Sequence, residues 1–259
     1  MTDAGAEPAV LTERRDRVLL VTLNRPDQRN AINAAVAQGI AAALDELDAD
    51  TALSVGVIAG AGKGFCSGMD LKAFVAGESP VVEGRGFAGI TQRAADKPLI
   101  AAVEGFAVAG GLEVAICCDL IVAARGARLG IPEVKRSLVA AGGGLLRLPR
   151  MLPRNIAMEM ALTGDFISAE RAAELGLVNR LTDAGGALDA ALELAGAIAQ
   201  NGPLALAATK RILTESLDWP DAEFFARQED IAGPVRASED AREGASAFAE
   251  KRAPVWKGR

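Results

Sequence analysis

The sequence predicts an α/β core followed by a helical C-terminal region, on three observations. Through residues 1–154, short apolar runs bounded by turn residues alternate with helix-period apolar spacing. The long apolar zone at residues 99–124 is cut by Glu104, Glu113, Asp119 and several glycines, so it reads as strands and a short helix of a core, not as a membrane span. From Asn155 to residue 259 one helical segment follows another.

The elements follow in order. VLLVTL (residues 18–23) is a buried strand, and NRPDQRN after it is a turn. Ile32, Val36, Ile40, Leu44 and Leu47 mark one face of a helix, with Asn33 as its N-cap. SVGVIAG (54–60) is a strand that runs into the glycine-rich GAGKGFCSGMD. PLIAAVEGFAV (98–108) is a strand pair or a bent strand, GGLEVAICC opens a helix, and DLIVAAR and ARLGIPE are two short strands around a tight turn. Beyond GGGLLRLPR, the helical stretches are IAMEMALTG, SAERAAELG, ALDAALELAGAIAQ, PLALAATKRILTES and SEDAREGASAFAEKR. Their apolar faces exceed what one α/β core covers, which points to self-association.

Composition excludes several chemistries. There is no histidine, so Ser-His-Asp and Cys-His nucleophile systems and histidine-held metals are out; no metal site is expected. There is no tyrosine to act as a phenolic acid. Cys66, Cys117 and Cys118, an odd number without C-x-x-C spacing, read as reduced thiols, and Cys66 as a small packed hydrophobe. A net charge of −6 argues against a nucleic-acid surface. The polar start MTDAGAEPAVLTERRD carries no signal-peptide pattern, so a cytoplasmic location is expected.

Glu113 is the anomaly. It lies in VAGGLEVAICCD, a nearly unbroken apolar segment, and glutamate is rarely buried without a partner. It stands three residues after Gly110, about one helical turn away on the same face. A glycine opening a helix exposes a free N–H to close approach, at the positive end of the helix dipole. Taken alone, the Gly110–Gly111 pair reads first as a tight strand-to-helix turn.

Four pieces in order, NRPDQRNAI, GKGFCSGMDLKAF, VEGFAVAGGLEVAICCDLIVAA and ARLGIPEV with a following GGG, resemble the crotonase (enoyl-CoA hydratase/isomerase) superfamily. The resemblance runs over almost the whole chain, through LTGDFISAERAAELGLVNRL to AFAEKRAP. It implies a spiral of β-β-α turns over residues 1–154 and C-terminal helices, residues 155–259, that build homotrimers, often paired into hexamers. It implies an acyl-CoA thioester as substrate, with coenzyme A as part of that substrate and no separate cofactor.

The resemblance places the oxyanion hole, which holds the thioester enolate, at the backbone N–H groups of Met69 and Gly110. Glutamates stand at both acid positions that the family's hydratases carry: Glu113 orients and deprotonates the water that adds at Cβ, and Glu133 delivers the proton to Cα. It places substrate contacts at Arg29, Ser67, Gly68, Asp70, Leu71, Lys72 and Gly111. Arg29 and Lys72 match basic positions near the nucleotide, with solvated surface charge as the alternative. Asp70 reads as a turn or cap residue, not a catalyst. Lys251 and Arg252 are further basic candidates.

One departure stands out. Hydratases of the family often follow P-E-V with G-x-x-P-G-x-G-G; here the segment is PEVKRSLVAAGGG, with Ser137 and Ala140 at the glycine and proline positions. That leaves acyl-chain length and branching open. Three activities fit the motifs: a 2-enoyl-CoA hydratase (a lyase of lipid, sterol or amino-acid side-chain breakdown), an enoyl-CoA isomerase or carnitinyl-CoA-type dehydratase, and a non-catalytic acyl-CoA- or RNA-binding member. The two intact acids and the acidic composition favour the first.

Overall fold

The structure, a computed structural model, describes residues 7–259; the first six residues of the polar N-terminal stretch lie outside the described residues. β1 (Val10–Arg15) and β2 (Val18–Leu23) form an antiparallel pair, α1 (Ala34–Ala49) follows, and β3 (Val55–Gly60) lies parallel beside β2. Asn33 caps α1 as expected, its Oδ1 accepting from Val36 N–H at 3.1 Å. Ile32 is not on the helix. The cap residue is extended, at φ −109° and ψ −174°, so Ile32 falls outside and bridges Met69 instead.

Next come α2 (Leu71–Val75), a small hairpin of β4 (Val81–Val82) and β5 (Gly86–Phe87), β6 (Leu99–Val103) and β7 (Phe106–Val108). α3 (Gly110–Ala115), β8 (Leu120–Ala124) and β9 (Arg128–Gly130) complete the zone read from the sequence as strands and a glycine-led helix. Then follow α4 (Gly144–Met151), α5 (Arg154–Thr163), β10 (Ile167–Ser168), α6 (Ala169–Glu174) and β11 (Arg180–Thr182). The chain ends in α7 (Ala187–Ala199), α8 (Pro203–Glu215), α9 (Phe224–Ala237) and α10 (Glu239–Glu250).

The main sheet has the order β1-β2-β3-β6-β8-β11 and is parallel from β2 onward. Both faces are covered, which is why its strands read as continuous apolar runs. Leu19, Val21, Ile58, Leu99, Ala101, Val103 and Ile121 face one core with α1. Val18, Leu20, Val55, Val57, Ile100 and Val122 face the other, under α7. Ala191, Ala195 and Ala199 of α7 are spaced four apart and buried against that face; their small side chains let the helix axis lie close to the sheet. A larger residue at Ala195 overpacks this contact at a cost of about 1–3 kcal/mol.

The C-terminal region is mostly helical, yet it also supplies two short strands. β11 pairs parallel with β8, and β10 pairs with β9. Strands of two or three residues carry too few alternations for the pattern to register. α9 is an additional helix whose sequence, interrupted by Pro234, does not read as one.

The second sheet, β10-β9-β7, positions the site. β7 and β9 are parallel, and Cys66 forms a further parallel bridge to Ala107 of β7. Three chain segments therefore leave one edge side by side. Met69 lies three residues beyond Cys66, Gly110 three beyond Ala107, and Glu133 three beyond Gly130 of β9. Ligand sites of parallel sheets gather at this carboxyl end of the strands.

Candidate active site

A cleft of about 3040 Å³ opens at this edge, lined among others by Met69, Gly110, Glu113, Glu133, Phe87 and Arg147. Met69 is fixed by its neighbours: Ile32 N–H donates to the Gly68 carbonyl at 2.8 Å, and Asp70 N–H donates to the Ile32 carbonyl at 2.9 Å. Gly110 is the first residue of α3, so its N–H has no partner in the preceding turn. Among the described residues, neither the Met69 nor the Gly110 N–H donates to any group of the chain.

The turn into α3 is strained. Ala109 holds φ 53° and ψ −133°, a region that L-residues seldom occupy, and its N–H donates to the Gly130 carbonyl at 2.9 Å. Gly68, at φ +93°, packs directly beneath. A Cβ there would lie 2.7 Å from Ala109 Cβ and 2.9 Å from the Gly110 nitrogen. The glycine that keeps the approach to the Gly110 N–H clear is thus Gly68. A Cβ at Gly110 itself would meet the Phe87 ring at 2.6 Å.

Glu113 is 3 % exposed. Its Oε1 accepts the Gly144 N–H at 2.9 Å, and the Gly142 N–H supports it as well. Burial raises its pKa; the two glycine amides and the Arg147 guanidinium oppose that rise. The glycine run is dictated by the acid: a Cβ at Gly142 would lie 2.5 Å from Glu113 Oε2, and one at Gly144 3.1 Å from Oε1.

Glu133 begins a single 3-10 turn, Glu133–Arg136. Its Oε2 is buried with no hydrogen-bond partner. Burial pushes its carboxyl up to about 7; the neighbouring Glu113 pushes the same way, while its own amide N–H and Arg136 oppose. Two carboxyl groups with unlike environments share one apolar-walled cleft, one well hydrogen-bonded and one not. Such a pair divides acid and base roles.

Arg29, Ser67, Asp70, Leu71 and Lys72 also line the cleft. Asp70 is a cap, as its sequence position suggested: Oδ1 accepts the Lys72 and Ala73 N–H groups at 3.1 and 3.2 Å, and Oδ2 pairs with Arg25 at 3.0 Å. Two expected substrate contacts do not line the cleft. Gly68 and Gly111 are buried, Gly68 against the backbone that carries the Gly110 N–H and Gly111 against Cys66, where a Cβ would sit 2.3 Å from the Cys66 carbonyl oxygen. Lys251 and Arg252 stand apart from the cleft, with Arg252 paired to Glu243 at 2.6 Å. Cys66 is fully buried and its thiol is pushed up to about 12, so it packs as a hydrophobe.

Sequence reasoning did not find Phe87, Arg147 or the amides of Gly142 and Gly144. Only the GGG run signalled that a backbone had to pass close to something.

This is an enzyme-type cleft: paired free backbone donors beside one buried and one half-buried carboxyl group at the carboxyl edge of a parallel sheet. The family model described as enoyl-CoA hydratase/isomerase matches residues 13–259, and the chain belongs to that family, in the crotonase superfamily. An enoyl-CoA hydratase from Mycobacterium tuberculosis H37Rv has a crystal structure that superposes with a TM-score of 0.96 at 61% identity, covering 98% of this chain and 100% of the other. Enoyl-CoA hydratase EchA1 from Mycobacterium marinum gives 0.96 at 62%, with the same coverage. The chain is also 42% identical to the carnitinyl-CoA dehydratase of Salmonella typhi, over 95% of this chain and 97% of that protein.

Proposed function

We propose that this chain is a 2-enoyl-CoA hydratase, adding water across the 2,3 double bond of an acyl-CoA thioester. The observation that carries the reading is the convergence of two undonated backbone N–H groups and two unlike carboxyl groups on one cleft. The thioester oxygen accepts from Met69 and Gly110 N–H. Glu113, ionised, takes a proton from water as the oxygen adds at Cβ. The π electrons pass to the thioester oxygen as an enolate, which the two donors stabilise. Glu133, protonated, then delivers its proton to Cα. One proton enters Glu113 as one leaves Glu133, so exchange with solvent resets the pair.

Arg29 and Lys72 lie at the cleft wall, where the phosphates of coenzyme A find cations; Ser67 and Leu71 shape the entrance. Coenzyme A arrives with the substrate, and the chemistry calls on no other cofactor. The reading carries with it a lipid-metabolic role in the cytoplasm. No helix of the described residues is long and apolar enough to cross a membrane.

The dehydratase reading is favoured by one observation, the 42% identity to the carnitinyl-CoA dehydratases. It uses the same acids in reverse. Hydration of crotonyl-CoA, followed as loss of the conjugated thioester absorbance, tests the first reading. Activity confined to 3-enoyl-CoA substrates indicates an isomerase instead, and no turnover of any thioester rejects an enzyme.

We also infer that residues 1–154 carry the acyl-CoA site and residues 155–259 the self-association surface of a trimer or hexamer. Phe225 and Phe248 are 85% and 88% exposed on α9 and α10. Sedimentation at micromolar concentration gives a trimer or hexamer on this reading, and a stable monomer rejects it.

A further inference from the structure

The Gly142–Gly144 turn has a second neighbour that the reaction scheme does not use. Successive residues of the turn alternate in what they face. Gly142 and Gly144 lie against Glu113, while a Cβ at Gly143 would fall 2.1 Å from Arg147 Nη1. Gly143 is held at φ +98°, and its carbonyl accepts the Arg147 backbone N–H at 3.0 Å. The guanidinium is anchored on its far side, with Nη2 donating to the Thr91 carbonyl at 2.6 Å. It is half-buried, lines the cleft, and among the described residues its side chain bonds to a backbone carbonyl and forms no ion pair. A fixed cation without an ion-pair partner, on the other side of the backbone that holds a buried acid, is that acid's counter-charge.

We propose that Arg147 is a positioning residue for the hydration reaction: it clamps the glycine turn whose amides hold Glu113, and it stands across that turn as the acid's counter-charge. This rests on the reading of Glu113 as the base. The groups facing Glu113 are Arg147 from α4, the Gly142 and Gly144 amides, Glu133 from the turn after β9, and Cys117 beyond the end of α3. Cys117 is a thiol pushed up to about 11 by burial, so it stays neutral. Glu133, pushed up to about 7, is the other carboxyl of the set, and its charge acts against Glu113 ionisation. Arg147 is the one cation opposing both effects. It acts through Glu113 and the turn, not on the substrate.

The test compares Arg147→Gln and Arg147→Lys with wild type in hydration of crotonyl-CoA across pH. An enzyme that needs Glu113 ionised loses rate as pH falls. Without the guanidinium, Glu113 holds its proton to higher pH, so the acid limb of kcat/KM moves up. Since each pH unit is a tenfold change in the ionised fraction, the deficit of Arg147→Gln is expected to grow from the plateau to the acid end by about tenfold for each unit the limb moves. Arg147→Lys keeps the charge and loses the flat fork; it lowers the plateau about tenfold or less and leaves the limb near wild type. A folded Arg147→Gln with an unmoved acid limb overturns the proposal. So does an Arg147→Lys acid limb clearly moved up from that of wild type, a result that decides the matter even if Arg147→Gln does not fold. Glu113→Gln separates the two levels: if it keeps full activity, the base assignment itself is wrong, whereas an inactive Glu113→Gln with an unmoved Arg147→Gln limb sinks only the role of Arg147.

Discussion

Replacing Gly68 by alanine adds one methyl group between the two proposed oxyanion donors. Its φ of +93° is left-handed, and a Cβ there would lie 2.7 Å from Ala109 Cβ, 2.9 Å from the Gly110 nitrogen and 3.1 Å from the Val108 carbonyl oxygen. These are backbone and Cβ atoms, with no flexible side-chain end to swing away. The conformational strain costs about 1–2 kcal/mol, and the crowding about 1–3 kcal/mol more. If the methyl remains, it covers the Gly110 N–H; if the loop shifts, the Met69 N–H moves out of line. Either way one donor is lost, which costs about 2.7–4 kcal/mol of transition-state stabilisation, or 100- to 1,000-fold in kcat. The assay is hydration of crotonyl-CoA, with a melting curve on the same preparation. Gly56→Ala is the control: its Cβ would crowd the Leu99 and Leu47 side-chain ends in the core, at 2.6 and 2.8 Å, with the Leu19 carbonyl oxygen at an ordinary 3.9 Å. That variant loses stability and keeps kcat within about tenfold of wild type, since a core substitution removes no donor. A folded Gly68→Ala enzyme with a rate near wild type refutes the placement of the oxyanion hole.

Three further outcomes follow from the site. Met69→Leu retains the N–H and keeps kcat within about tenfold, whereas Met69→Pro removes the donor and abolishes turnover, both read in the same absorbance assay. Glu133, with its folded pKa raised to about 7, has to be protonated to deliver to Cα, so the hydration rate falls as pH rises through about 7. The same raised value means that the folded state binds more protons than the unfolded one between the ordinary glutamate range and about 7. Stability therefore falls as pH rises through that window. Glu133→Gln removes this slope, and pH-dependent melting curves with the wild-type slope retained count against a buried, partnerless carboxyl oxygen on Glu133.

Much of this site was legible because its signals are local. A glutamate in an apolar run announces a partner, a glycine pair before it announces a helix start, and Asn33 and Asp70 each sit where a cap belongs. What remained hidden depends on contacts between distant residues. The Gly144 amide reaches Glu113 across 31 positions, and the Arg147–Thr91 bond spans 56; no periodicity within either segment encodes such a meeting. Gly68 read as a substrate contact because it stands beside Met69, yet its φ turns it inward against Ala109. Ser137 shows the limit from the other side. It occupies the family's glycine position with φ 56°, a left-handed turn that glycine adopts without cost and serine with strain. The departure changes the residue while the turn persists.

The central claim is that two carboxyl groups on one cleft divide the proton work of hydration. It is tested most directly by kcat for crotonyl-CoA hydration in wild type, Glu113→Gln, Glu133→Gln and the double variant. General acid–base groups contribute about 100- to 10,000-fold, so each single variant is expected to fall by at least about 100-fold. The double variant is expected to fall by less than the product of the two, because groups acting as one unit are not additive. A wild-type rate in either folded single variant contradicts the account.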